Sequence, residues 1–299
     1  MTERVTDTAD AARSARPGPT WEPEPHEARE PVQITPLGWV AVALRLPVLA
    51  ILVFGGLLLH LALRRIERPL FGLRRPVTPF ITQAVCRLAL LVLGMRFRVR
   101  GKPMARRGAV VANHSGWLDI FALNAPQRIY YVAKSEVAGW AGIGWLAKAT
   151  GTIFIRRDPR EAKAQQLVFE ARLRAGHHLC FFPEGTSSDG VRVLPFKPTL
   201  FAAFHMDGLA DILSIQPVTV AYHGPPGRDP RFYGWFGDIG FGRHLLEVLA
   251  QIRQGGVEVI FHPPIPIAEG GGRKALARTC EEQVRAGLRE ALPAEVLRV

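Results

Sequence analysis

Two side chains five residues apart, His114 and Asp119, have the types needed for a general base and the carboxylate that orients it. They lie in the run Asn113-His114-Ser115-Gly116-Trp117-Leu118-Asp119, with a β-rich run (109–112) before it and a helix-like run (117–123) after it. On a continuous helix, positions five apart point about 140° away from each other and do not meet. A strand-to-helix turn through Ser115 and Gly116 instead folds His114 back over the first helical turn. One imidazole nitrogen can then accept a proton while Asp119 holds the N–H of the other, and the nucleophile is the substrate's own hydroxyl. A helix N-terminus beside His114 disfavours its protonated form and keeps it a base. Read alone, the same residues also fit a histidine that caps a helix start, with Asp119 coincidental.

Two more segments carry possible chemistry. Gly151-Thr152-Ile153-Phe154-Ile155-Arg156-Arg157-Asp158 is a β run ending in adjacent guanidinium groups. Such a fork binds a phosphate or carboxylate, or simply pairs with Asp158. In Phe181-Phe182-Pro183-Glu184-Gly185-Thr186-Ser187-Ser188, glycine permits a turn whose amides and hydroxyls face one locus, or an ordinary β-turn. The patterns G-x-S-x-G, H-E-x-x-H, the Walker loop and G-x-G-x-x-G do not occur, which argues against elbow hydrolases, zinc proteases and nucleotide binders. Cys86, Cys180 and Cys280 have no paired spacing, so neither a disulfide framework nor a zinc site follows.

The elements that must position these residues begin at Arg96. Strands are expected over 96–100, 108–113, 129–133, 152–156, 178–182, 214–220 and 257–261. Helices are expected over 117–125, 136–149, 160–175, 196–206 and 273–291. Asp158 reads as an N-cap, with Pro159 at the first helical position, Glu161 at N3 and Gly176 as the stop. This alternation predicts an α/β catalytic domain over 96–299, a mixed β-sheet flanked by helices. Before it, 37–95 reads as membrane-anchoring helices. Residues 46–63 carry no formal charge and sit at the short limit for a span, and 38–63 would cross if Arg45 snorkels. A second apolar stretch, 77–95, suits an interfacial helix or one packed under the domain. Residues 64–75 hold five arginines against one glutamate, so the positive-inside rule puts the domain on the cytoplasmic face of the inner membrane. Residues 1–36, with six prolines and seven acidic residues, read as a disordered tail.

Taken together, the motifs resemble the glycerophospholipid acyltransferase family. Its Asn-His with an Asp five after the His is matched by Asn113, His114 and Asp119. Its Gly-x-x-Phe-Ile-x-Arg run is matched by Gly151, Phe154, Ile155 and Arg157. Its Phe-Pro-Glu-Gly-Thr is matched by Phe182, Pro183, Glu184, Gly185 and Thr186, and its proline in an apolar strand by Pro217. All four occur in order between about residues 101 and 222. The resemblance implies that His114 is the general base and Asp119 its orienter, with Phe154, Arg157, Glu184, Gly185 and Thr186 binding the acceptor. It implies an acyl-CoA or acyl-carrier protein donor, membrane-lipid acceptors, and no metal or prosthetic group. Where lysophosphatidic acid enzymes commonly place Arg after Glu-Gly-Thr, this chain has Ser187. The stretches Glu136-Val137-Ala138-Gly139-Trp140, Leu194-Pro195-Phe196-Lys197 and Trp235-Phe236-Gly237-Asp238 look like the lyso-ornithine lipid acyltransferase branch, with Arg156 able to replace the missing charge.

Three rival readings remain at this level. The formal charge of +12 suits nucleic acid as well as acidic lipid, although the basic cluster adjoins the apolar segment. A lipid hydrolase would use Ser115 or Ser187 as nucleophile, and a non-catalytic membrane scaffold would need none of these residues. His177 and His178 read as a surface loop, and the tryptophans Trp117, Trp140 and Trp145 as core packing.

Overall fold

The short apolar runs assemble into one eight-stranded mixed sheet in the computed structural model, which describes residues 21–298 except 28, 141, 157 and 205–212. The strands are β1 Arg96–Arg100, β2 Gly108–Ala112, β3 Ile129–Lys134, β4 Ile153–Ile155, β5 His178–Phe181, β6 Ser214–His223, β7 Gly256–Phe261 and β8 Ile265–Pro266. Their order is β1-β7-β6-β2-β5-β3-β4, with β8 on β6. The run from β6 to β4 is parallel, whereas β7 is antiparallel to β6 and carries β1 parallel to itself. Every residue of the central β2 is buried, as expected for a parallel strand covered on both faces.

The helices are α1 Pro36–Phe71, α2 Thr78–Leu93, α3 Leu118–Asn124, α4 Ile143–Thr150, α5 Ala162–Arg174, α6 Phe241–Ala250 and α7 Gly272–Ala291. Val110 and Ala112 of β2 face a core shared with Leu90 of α2, Leu123 of α3 and Val248 of α6. Ala109 and Val111, one residue out of phase, face Leu173 of α5 and Leu276, Cys280, Val284 and Leu288 of α7. The period of two along the strand thus sorts the helices onto two faces.

Several expectations need correction. The helix expected over 136–149 divides into a 3-10 turn, Ser135–Gly139, and α4. The expected helix 196–206 is a 3-10 segment, Pro198–Phe204, and its last two residues lie outside the described ones. Asp158 holds the Arg160 amide (2.9 Å) of a 3-10 turn that precedes α5. His177 is buried and accepts from Arg172 Nε at 2.6 Å; burial and the nearby guanidinium groups push its pKa down to about 3. Helix α6 was not foreseen because its buried face carries His244 and Glu247, which break the apolar period. Both are satisfied: His244 Nδ1 accepts from Trp117 Nε1 (2.9 Å), and Glu247 pairs with Arg29 (2.7 Å).

Arg29 belongs to the segment expected to be disordered. Residues 1–20 are not among the described residues, but 21–27 and 29–35 lie against the domain. Glu27 pairs with Arg192 (2.7 Å), the Arg192 guanidinium sits 5.1 Å over the Trp21 ring, and the Val32 amide donates to Glu247 (3.2 Å). Arg29→Met is expected to lower stability by about 3 kcal/mol, because Glu247 stays buried with Arg243 as its remaining cation. Urea denaturation of the detergent-solubilised protein checks this, and an unchanged midpoint overturns it.

Helix α1 is long and apolar enough to cross a membrane. It nevertheless stays on the domain along its length. Gly38 abuts Ala250, and Arg45 donates to the Leu249 and Gln251 carbonyls (2.9 and 2.7 Å) at the end of α6. About 22 Å further along, His60 shares a small cavity with Thr150 and Tyr130. Arg45 therefore caps a helix C-terminus instead of snorkelling. One side of the α1–α2 hairpin packs inward through Leu49, Leu57, Cys86 and Leu90, while Leu44, Ile51, Leu58 and Leu91 face outward.

Candidate active site

The C-terminal ends of the parallel strands converge at one edge of the sheet, where open α/β sheets bind ligands. His114 follows β2, and Asp119 lies in the first turn of α3. Ser115 and Gly116 make the bend, so close to Trp235 that a Cβ on Gly116 would lie 2.8 Å from the Trp235 Cβ. His114 Nδ1 is 2.6 Å from Asp119 Oδ2. The same oxygen takes the Ser115 amide (2.7 Å) and the Gly116 amide (3.1 Å). Surrounded by donors, it accepts the Nδ1 hydrogen, which leaves Nε2 as the ring nitrogen with a free lone pair. The His114 side chain is 23% exposed while Asp119 is fully buried, so the imidazole is the reachable half of the pair.

The ring and the backbone of His114 are both fixed. Phe182, at the end of β5, stacks on the imidazole with centroids 3.9 Å apart and planes 11° apart. The His114 carbonyl accepts the Ser188 amide (2.7 Å), and its amide donates to Glu184 Oε1 (3.1 Å). Asn113 exchanges two bonds of 2.8 Å with the Val220 backbone, tying the end of β2 to β6. Glu184 is fully buried; burial, with Asp119 adding, raises its carboxyl well above the usual range. It holds the backbone of His114 through that residue's amide.

The other expected residues are placed as follows. Gly185 and Thr186 continue the turn from Glu184 and are half-buried. Ser187 points inward, donating to the Trp235 carbonyl (2.7 Å). Phe154 sits half-buried on β4, three strands from β2 and so roughly 14 Å across the sheet. Arg157 is outside the described residues, and Arg156 is exposed and paired with Glu161 (3.0 Å).

One residue of the site escaped the sequence reading. Tyr222, near the end of β6, donates its hydroxyl to Asp119 Oδ1 (2.8 Å). Burial and the neighbouring Asp119 hold its pKa well above the usual phenol value, so it remains a donor. Its place at the C-terminal end of an apolar strand was the available signal. Tyr222→Phe is expected to lower kcat about 10-fold with little change in KM, since a hydrogen bond to a charged group contributes about 1.5–3 kcal/mol. Steady-state kinetics checks this, and wild-type kcat in the variant refutes it.

Comparison with known proteins gives the family. Residues 96–221 match the family model described as Acyltransferase. The chain is 59% identical over 265 residues to the lyso-ornithine lipid O-acyltransferase of Rhodobacter capsulatus, covering 89% of this chain and 95% of that one. It belongs to the acyltransferase family. This acyltransferase is also 40% identical over 236 residues to the lyso-ornithine lipid O-acyltransferase of Brucella abortus, covering 74% of this chain and 85% of that one. It is 32% identical over 202 residues to the 1-acyl-sn-glycerol-3-phosphate acyltransferase of Neisseria gonorrhoeae, covering 67% and 76%. The crystal structure of the 1-acyl-sn-glycerophosphate acyltransferase PlsC from Thermotoga maritima shares the acyltransferase's fold, with TM-score 0.58, 21% identity and coverage of 86% and 95%. The expected α/β fold and the expected enzyme class both hold.

Proposed function

We propose that this acyltransferase moves a fatty acyl group from a thioester of coenzyme A or acyl-carrier protein to the free hydroxyl of lyso-ornithine lipid. The observation that carries the chemistry is the His114–Asp119 contact, with the imidazole open to substrate and its partner sealed below. The choice of acceptor rests on the near full-length similarity to the Rhodobacter capsulatus protein. The inward-turned Ser187, where a phosphate-binding arginine would otherwise stand, also favours it over 1-acylglycerol-3-phosphate.

His114 Nε2 takes the proton of the acceptor hydroxyl as its oxygen attacks the thioester carbonyl, forming a tetrahedral oxyanion. Asp119 stabilises the imidazolium that forms. Collapse breaks the carbon–sulfur bond, and the imidazolium returns the proton to the departing thiolate. The chemistry needs neither a metal nor a prosthetic group. We place Phe154, Arg157, Gly185 and Thr186 along the acceptor path, with Glu184 acting through the His114 backbone. The outward row of α1 and α2 would lie in the cytoplasmic leaflet of the inner membrane, with the basic residues 64–75 at its lipid head groups rather than on nucleic acid.

The test supplies the purified enzyme with an acyl thioester and either lyso-ornithine lipid or 1-acylglycerol-3-phosphate. Diacyl ornithine lipid is the expected product. Free fatty acid alone would identify a hydrolase, and preference for the phosphate acceptor would overturn the acceptor assignment.

A further inference from the structure

Lys197 has a place in the site that the transfer chemistry does not use. Its side chain lies over Gly185 in the turn that follows β5.

 The Lys197 Nζ is 2.8 Å from the point that a Gly185 Cβ would occupy, and Cδ and Cε are 3.4 and 3.5 Å from it. Gly185 has φ +73°, so the turn already favours glycine, and the missing side chain leaves the lysine stem its room.

The backbone beneath this lysine is clamped. Its amide donates to the Pro183 carbonyl (2.9 Å), the Phe196 amide donates to Glu281 Oε2 (2.8 Å), and the Phe196 side chain is buried. The exposed side chain is therefore delivered to the turn Glu184-Gly185-Thr186, the same turn that holds the His114 amide through Glu184. Among the described residues, no carboxylate lies within ion-pairing distance of the Lys197 ammonium. Ser187 is turned inward, and Arg156, after β4, is occupied by Glu161.

We propose that Lys197 binds the oxyanion of the acceptor head group at the mouth of the site, over Gly185. This rests on the reading of the enzyme as a lysolipid acyltransferase. For lyso-ornithine lipid the oxyanion is the ornithine carboxylate, and for 1-acylglycerol-3-phosphate it is the phosphate. A lysine ammonium serves either as a compact point charge.

The experiment compares wild type, Lys197→Met and Lys197→Arg in the full-length, detergent-solubilised enzyme. The acceptors are lyso-ornithine lipid, its primary amide (carboxylate neutralised) and 1-acylglycerol-3-phosphate. Lys197→Met is expected to raise KM for the anionic acceptor about 10- to 100-fold, the effect of losing a charge-assisted hydrogen bond. Its kcat and its KM for the thioester should stay near wild type. The amide should be used equally by wild type and Lys197→Met, and Lys197→Arg should recover most of the affinity for the anionic lipid. An unchanged KM, or an equal loss on the amide, overturns the proposal. Acceptor binding read from intrinsic tryptophan fluorescence separates this site from the reading beneath it. If wild type binds the anionic lipids more tightly than Lys197→Met but transfers to neither, the acyltransfer reading fails and the anion site stands. Equal binding by both proteins removes the site.

Discussion

Replacing His114 with alanine is expected to slow acyl transfer by about 10²–10⁴-fold or more while the protein remains folded and membrane-bound. Asp119 holds Nδ1 of the imidazole, which leaves Nε2 as the nitrogen able to take the acceptor proton. Its side chain is partly exposed at the mouth of the bend, so truncation is expected to leave the fold intact. Asp119→Asn is expected to lose a similar factor for a different reason. The carboxylate accepts from His114, two backbone amides and Tyr222, and an amide group would set its own N–H groups against some of those donors. That variant should also lose about 1–3 kcal/mol of stability, the cost of unpaired buried groups. Thioester-consumption assays with thermal denaturation check both. Near-normal turnover in either variant would remove His114 and Asp119 from the mechanism.

A second large effect is expected at the membrane. Leu44, Ile51 and Leu58 are 67%, 74% and 63% exposed on the outward side of α1. Changing all three to glutamate should release the protein from lipid vesicles without unfolding it, because none of them packs in the core. At about 1.5–3 kcal/mol for each apolar side chain withdrawn from water, the combined loss exceeds about 4 kcal/mol, or roughly a thousandfold in partition. Vesicle sedimentation measures it. Retention of the triple variant on vesicles at wild-type levels would show that another surface does the anchoring.

The joint position of Arg45 and His60 on the domain bears on topology. A helix that touches the same domain at both points runs beside it, a course that fits a lengthwise contact with the bilayer as the proposed arrangement. Hydropathy could not distinguish this from a span, since both need a long apolar run.

Much of the catalytic arrangement was legible before the structure. The strand-to-helix bend at Ser115 and Gly116, the His114–Asp119 contact and the seven strands expected from 96 to 261 depend on local patterns: alternation, glycine at a tight bend, and a short polar motif. The features missed depend on partners distant in the chain. Arg29 meets Glu247, 218 positions away, and Tyr222 meets Asp119, 103 positions away. Composition made residues 1–36 look unable to fold, yet 21–27 and 29–35 gain their order from buried charges on α6 and the 189–192 loop.

The sequence by itself pointed to a histidine and an aspartate meeting at a strand-to-helix bend, and to apolar helices preceding them. Both follow from nearest-neighbour geometry and the burial demanded of apolar runs. Only the tertiary structure decided that Glu184 accepts the His114 amide, that Tyr222 completes the shell of Asp119, and that α1 lies along the domain. Those outcomes are set by which strand ends the parallel sheet brings side by side, and by where buried polar groups find partners, which no local pattern encodes.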